Sequence, residues 1–301
     1  MIDVQAVTKQ FGNRTVVDGI SFQAAAGEIF GLIGPNGAGK TTTIRMIMNI
    51  LAPDSGSILI GGSPLREQDK ERIGYLPEER GLYPKVTVED MLLYLATLKG
   101  RSPADIRPRI HTLLEQFDLY DWRDKKIEEL SKGMSQKVQF IGSIIHDPEI
   151  VIFDEPFSGL DPVSADMLLE MILEMGSRNK TILFSTHLME HAEKICNRIF
   201  LINHGKEVVS GRTESIKEQF GKRTIIVEYD GDGEFIRDLS FVENITRYPR
   251  WIEVELTEGT PPDELLKEIT GAVSVKRYEL TTPSLHSIFV RLVGSKEQPD
   301  A

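Results

Sequence analysis

Eight consecutive residues constrain this chain more than anything else in it. Gly34-Pro35-Asn36-Gly37-Ala38-Gly39-Lys40-Thr41 satisfies G-x-x-x-x-G-K-[ST] in full. An apolar run over 27–33 reads as a buried strand leading into it, and a helical pattern from Lys40 to Leu51 leads out. Triphosphate binding needs these residue types in this order. Glycines let backbone N–H groups curl around a β-phosphate without Cβ clashes, and the new helix aims its positive end at the phosphates. The Lys40 ammonium is expected to reach the β- and γ-oxygens. The Thr41 hydroxyl is expected at Mg²⁺, and Thr42 is expected among the nucleotide-binding residues. An ordinary Gly-rich turn is the rival reading, and the complete match with both flanks disfavours it.

A second element completes such a site. Ile150-Val151-Ile152-Phe153-Asp154-Glu155 is an apolar strand ending in two acids, and ligands of open α/β sheets bind at carboxyl strand ends. Asp154 is expected to hold Mg²⁺ and Glu155 to polarise the attacking water. The apolar runs 150–153 and 181–184, each followed by a helical stretch, carry the pattern of parallel strands with crossover helices.

Bulk properties narrow the function classes. The 301 residues carry a formal net charge of -11, which argues against a nucleic-acid binder held by bulk electrostatics. The single cysteine, Cys196, excludes an internal disulfide and a cysteine-based metal site, and it reads as a buried apolar side chain. The N-terminus opens directly into a strand pattern without a signal-peptide profile, and no apolar run approaches the ~20 residues that span a bilayer.

Two domains are expected. Residues 1–220 read as the nucleotide-binding unit, with short strands at 2–7, 15–22, 55–62 and 72–76. Helices are expected at 87–99 and 103–119, the first presenting Met91, Leu92, Leu95 and Leu98 on one face. A closing strand pair reads at 197–211, and a boundary near Gly221-Lys222. Residues 221–294 then follow a βαββαβ order suited to a small ferredoxin-like α+β domain. The polar tail, 295–301, reads as disordered.

With these motifs in place, residues 1–220 resemble the ATP-binding subunits of ABC transporters. Leu130-Ser131-Lys132-Gly133-Met134 stands at the Leu-Ser-Gly-Gly-Gln signature, Ser158-Gly159-Leu160-Asp161 at the D-loop, and His187 at the switch histidine. Phe11 stands where an aromatic side chain stacks on adenine. The resemblance implies an α/β P-loop NTPase fold of ABC type, with a mixed sheet and a helical subdomain at about 85–145. It further implies Mg²⁺-dependent ATP hydrolysis by two such domains paired head to tail, as a homodimer or with a paralogous ATPase. Ser131 and the Gly133 amide of one domain would then donate to the γ-phosphate held by the other, and Asp161 of the D-loop is expected among the nucleotide-binding residues. His187 would hold the attacking water in line. The expected partners are polytopic membrane permease subunits, at the cytoplasmic face of the plasma membrane. A soluble ABC ATPase acting on ribosomes or DNA is the alternative. It is disfavoured by the presence of one cassette and by the short stretch 42–130, which leaves no room for a long coiled coil.

Departures from the family pattern stand out. Ile73-Gly74-Tyr75-Leu76-Pro77-Glu78-Glu79 occupies the Q-loop, with Glu78 in place of the usual Gln. Glu78 is expected at the nucleotide and its Mg²⁺, where it adds a carboxylate beside the γ-phosphate. Lys132 replaces the first signature glycine. One hypothesis is that Lys132 offsets the added charge across the dimer interface; the other is that it is solvated at the rim. Together these variants resemble a subgroup of bacterial exporter ATPases that includes sodium-extrusion types. The stretch Pro283–Phe289 resembles the accessory domain such subunits carry. The Q-loop is followed by the family's groove for a membrane-subunit helix, where Met91, Leu92 and Tyr94 are candidate contacts, with Leu92 and Leu95 more simply core. A zinc helix on His187 and His191 is disfavoured, because no third ligand is evident.

Overall fold

The computed structural model describes residues 1–79, 81–220, 224–257 and 259–294. The expected boundary at Gly221-Lys222 and the expected tail at 295–301 lie outside the described residues. The chain divides into two compact units, Met1–Ser210 and Gly211–Ala301.

The first unit runs β1 (Ile2–Phe11), β2 (Arg14–Ala24), β3 (Ile29–Ile33), α1 (Lys40–Ile47), β4 (Ser55–Ile60), β5 (Ile73–Leu76), α2 (Val88–Leu98), α3 (Pro103–Gln116) and α4 (Lys132–Ile144). It continues through β6 (Ile150–Asp154), α5 (Pro162–Ser177), β7 (Thr181–Thr186), α6 (Met189–Ile195), β8 (Arg198–Asn203) and β9 (Lys206–Arg212). Among the described residues, β2-β1-β4 form an antiparallel sheet, and β5-β6-β7-β3-β8-β9 form a second sheet, parallel from β5 to β8. Every residue of β3, β6 and β7 is buried. That is what continuous apolar runs mean in a parallel sheet covered on both faces. The register aligns Ile33 with Thr186 and Asp154 with Ser185. Hence the loops after β3, β6 and β7 all leave from one carboxyl edge.

Helices α2, α3 and α4 form the helical part. Thr87 caps α2 through the Asp90 N–H, and Ser131 caps α4 through the Met134 N–H. Two glycines let α4 sit close to its neighbours. A Cβ on Gly142 would lie 2.5 Å from Leu95 Cδ1, and one on Gly74 of β5 would lie 2.2 Å from the Ser143 carbonyl. Phe140 of α4 stacks on Phe153 of β6, with centroids 4.9 Å apart. Met91, Leu92 and Ala96 are buried on α2, but Leu98, expected on that face, is 61% exposed. It is the last residue of the helix, and the chain turns away at Gly100 with φ +74°. The helix expected over 103–119 ends at Gln116, two residues before the left-handed Asp118.

His146, just past α4, is 1% exposed. Burial, reinforced by Lys99, Arg101 and Arg109, lowers its pKa to about 4. Between about pH 6.5 and 4 the unfolded chain therefore binds a proton at this residue that the folded chain refuses, so this residue lowers stability as pH drops through that window and contributes no pH dependence above it. The urea midpoint should fall from pH 7 to pH 5, and His146→Leu should flatten that fall. An equally steep acid limb in the variant would show that other groups cause it.

Cys196 is buried against β3, close enough that a Cβ on Gly31 would lie 2.6 Å from its Sγ. Burial raises its thiol pKa. It behaves as a small apolar side chain.

The second unit contains α7 (Thr213–Phe220), β10 (Thr224–Asp230), β11 (Val242–Arg247), β12 (Ile252–Leu256), α8 (Pro262–Thr270), β13 (Ser274–Thr281) and α9 (Leu285–Gly294). Its antiparallel sheet has the order β11-β12-β10-β13, the ferredoxin-like arrangement, with the first crossover reduced to a 3₁₀ turn at Glu234–Asp238. Every residue of β12 is buried, including Glu253 and Glu255. The Ser284 and Ser287 hydroxyls donate to Glu253, and Arg291 lies 3.2 Å from Glu255. The polar spacing in Pro283–Phe289 thus places hydroxyls over a buried carboxylate.

Candidate nucleotide site

The Gly-rich loop joins β3 to α1. Gly39 caps α1 with φ +110°, and a Cβ there would lie 2.7 Å from the Val16 carbonyl. An added methyl at Gly34 would lie 2.2 Å from the Ile202 carbonyl. The loop therefore lies too close to backbone for side chains at either position.

Lys40 is 5% exposed. Its Nζ donates to the Gly34 carbonyl at 2.8 Å and the Pro35 carbonyl at 3.2 Å, and lies 3.2 Å from Glu155 Oε1. Glu155 follows β6 directly, with a left-handed φ of +51°. This is an uncommon conformation for a non-glycine residue, of the kind that concentrates at functional sites. Its N–H donates to Ser185 on the neighbouring strand. Its Oε2 lies 2.9 Å from Nδ1 of His187, the residue after β7. The carboxylate of Glu155 is thus held between an ammonium and an imidazole at the carboxyl edge of the sheet.

Asp154 is fully buried. Its Oδ1 accepts from the Ser185 hydroxyl at 2.5 Å, while Oδ2 is sealed from solvent without a hydrogen bond of good geometry among the described residues. Burial raises its pKa; the Ser185 and Thr41 hydroxyls oppose that, and the Glu78 and Glu155 carboxylates add to it. The Thr41 hydroxyl donates to Glu78 Oε2 at 3.1 Å. Asp154, Thr41 and Glu78 thus gather acceptor oxygens at one spot. An orphaned buried carboxylate oxygen beside a hydroxyl and a second carboxylate fits a hard divalent cation.

One cleft is lined by Asn36, Gly37, Gly39, Lys40, Thr41 and Thr42, and also by Glu78 and Glu155. Phe11, Ser131, Gly133 and Asp161 do not line it. Phe11 is 51% exposed at the end of β1, with the Lys9 ammonium 5.7 Å from its ring centroid. Ser131 is exposed at the start of α4. Gly133 faces the loop after β6: a Cβ there would lie 3.7 Å from the Gly159 carbonyl. Asp161 caps α5, accepting the Ser164 N–H at 3.0 Å and its hydroxyl at 2.7 Å. Lys132 is exposed and forms no ion pair among the described residues. Three further residues support the site and belong to none of its motifs. Ser185 orients Asp154, and Gln136 and Gln139 of α4 reach loops of the site. Ser185 was visible only as the position aligned with Asp154 on a paired strand, and the two glutamines carried no local signal.

Residues 17–158 match the family described as ABC transporter, and residues 211–293 match that of the ATP-binding protein DrrA1-3-like C-terminal domain. An uncharacterized ABC transporter ATP-binding protein of Bacillus subtilis (strain 168) is 41% identical, over 98% of this chain and 99% of its own length. The Nod factor export ATP-binding protein I of Paraburkholderia xenovorans (strain LB400) is 34% identical, over 99% and 98%. A solved ATP-binding subunit of an ABC transporter is 30% identical, with a TM-score of 0.68, over 90% of this chain and 99% of its own. A P-loop fold with this site defines an ATP-binding, ATP-hydrolysing cassette. The chain belongs to the ATP-binding proteins of ABC transporters. No helix among the described residues is long and apolar enough to cross a membrane.

Proposed function

We propose that this chain is the Mg²⁺-dependent ATPase that powers export through separate membrane subunits, bound peripherally at the cytoplasmic face. The observation carrying this reading is Glu155, held 3.2 Å from Lys40 and 2.9 Å from His187 at the mouth of the Gly-rich loop. Lys40 and the loop amides hold the β- and γ-phosphates. Glu155 takes a proton from the attacking water, and His187 fixes the water and the γ-phosphate in line. Asp154 and Thr41 would hold Mg²⁺, with Glu78 beside them. When bound, the cation neutralises charge building on the phosphate oxygens. Glu78 could not approach a γ-phosphate without such compensation.

Phe11 would stack on adenine. Ser131, the Gly133 N–H and Asp161 would act in trans, as the family resemblance implies. A second cassette, identical or paralogous, completes each site. Export is supported by likeness to proteins named for export.

Docking to a membrane subunit involves the exposed pair Tyr83 and Tyr94, whose rings meet edge-on at 5.8 Å. Met91 and Leu92, buried in α2, contribute core rather than surface. The test co-expresses the chain with its membrane subunits. ATP turnover should stop in excess EDTA. Tyr83→Ala with Tyr94→Ala should abolish co-purification while turnover of the isolated chain stays within about twofold, since exposed positions cost little stability. Normal co-purification of the double variant would remove these tyrosines from the docking face.

A further inference from the structure

Helix α4 carries two buried glutamines one turn apart, Gln136 and Gln139. Gln136 Nε2 donates to the Pro156 carbonyl at 3.1 Å, next to Glu155. Gln139 Nε2 donates to two carbonyls, Pro77 at 3.3 Å and Glu79 at 3.1 Å, which flank Glu78 on either side. Residues 77–79 make no other backbone hydrogen bond among the described residues. Gln139 Oε1 is buried without a partner among those residues, so the amide acts here through its donors alone. The Glu78 side chain in turn accepts from Thr41.

We propose that Gln139 is a positioning residue. It fixes the backbone on both sides of Glu78, and so fixes that carboxylate at Thr41 and Asp154. It thereby makes the metal-proximal corner of the site follow helix α4. The physical reason is reach. A carboxylate on a loop with no other backbone anchor samples many positions, and two hydrogen bonds from a buried helix select one. Both bonds are lost if α4 moves by much more than about half an ångström, because hydrogen bonds weaken steeply beyond about 3.5 Å. Ser131 caps the same helix, so the element presenting the signature also sets Glu78. The departure of this loop from Gln to Glu gives the device its purpose: a misplaced carboxylate beside a γ-phosphate repels it. This inference rests on the assignment of Glu78 to the Mg²⁺ site.

The test uses the purified full chain carrying Gln139→Leu, which keeps volume and removes both donors. Glutamate-specific proteolysis of the nucleotide-free chain after Glu78 or Glu79 should accelerate about tenfold, because the loop loses the two hydrogen bonds that anchor it. Hydrogen exchange in β6 and α1 should be unchanged. The Mg²⁺ concentration giving half-maximal turnover should rise about fivefold, while ATP affinity measured without Mg²⁺ stays within about twofold. In a Glu78→Ala background the Leu substitution should add no further shift, because the group it positions is gone. A folded Gln139→Leu chain with normal Mg²⁺ dependence overturns the proposal, as does an additive double variant. If the Leu variant does not fold, Gln139→Asn, too short to reach both carbonyls, takes its place with the same outcomes. Glu155→Gln run in parallel keeps the two readings apart. Full turnover there would remove the ATPase site itself, whereas an inert Glu155→Gln beside a normal Gln139→Leu would remove only the role of Gln139.

Discussion

Glu155→Gln should bind ATP with near-normal affinity and turn it over about 10²–10⁴-fold more slowly, the contribution of a positioned general base. The substitution keeps the side chain's shape and its place after β6. It removes the carboxylate that lies 2.9 Å from His187 and 3.2 Å from Lys40. Lys40 and the loop amides remain, so the phosphates are still gripped. Because ATP stays intact, cassettes that close over it should stay closed, and the variant should accumulate as an ATP-dependent dimer. Single-turnover rates together with sedimentation in the presence of ATP measure both effects. Turnover at the wild-type rate would remove Glu155 from its assigned role. Slow turnover with a strict monomer would instead remove the dimer.

Lys40→Ala should have the second large effect, and it should act on two observables. Nucleotide affinity should fall at least about 100-fold, because charge-assisted hydrogen bonds to phosphate oxygens are lost. The chain without nucleotide should also lose stability. Lys40 is buried, satisfies two loop carbonyls, and is the cation nearest to Glu155 Oε1, which has no hydrogen-bond partner of its own among the described residues. Removing one member of a buried pair strands the other, at a cost on the order of 3 kcal/mol. The pair is partly relieved by His187, so a fall in Tm of roughly 5–10 °C is expected for a unit of this size. Calorimetry without nucleotide reads the structural part, and fluorescent-nucleotide titration reads the functional part. An unchanged Tm would mean that the pair contributes no net stability. Unchanged affinity would mean that Lys40 does not touch the phosphates.

Much of the site was legible because its chemistry is local. Gly34–Thr41 must be contiguous, because in the proposed role the turn, the helix start and the lysine work as one unit on one phosphate chain. Asp154-Glu155 was legible because an apolar strand ending in acids has few other uses in such a fold. The C-terminal strand order was legible for a similar reason, since alternating short strands and a single amphipathic helix leave few arrangements.

Other features had no local signal. The left-handed backbone at Glu155 depends on how the chain leaves β6 and bonds to Ser185 of β7. The contact between Thr41 and Glu78 joins residues from two loops. The exposure of Leu98 and the burial of His146 depend on where helices stop relative to the layer they cover.

The sequence by itself determined that a Gly-rich loop between strand and helix, an acidic strand end and a histidine would occur in this order, because each is specified by neighbours within a few residues. Only the tertiary structure decided that Glu155 stands between Lys40 and His187, and that Gln139 holds the loop around Glu78. Those relations span strands and helices far apart in the chain. They are set by sheet register and by the close approach of α4 at Gly74 and Gly142, and the packing of the whole unit has to be complete before they exist.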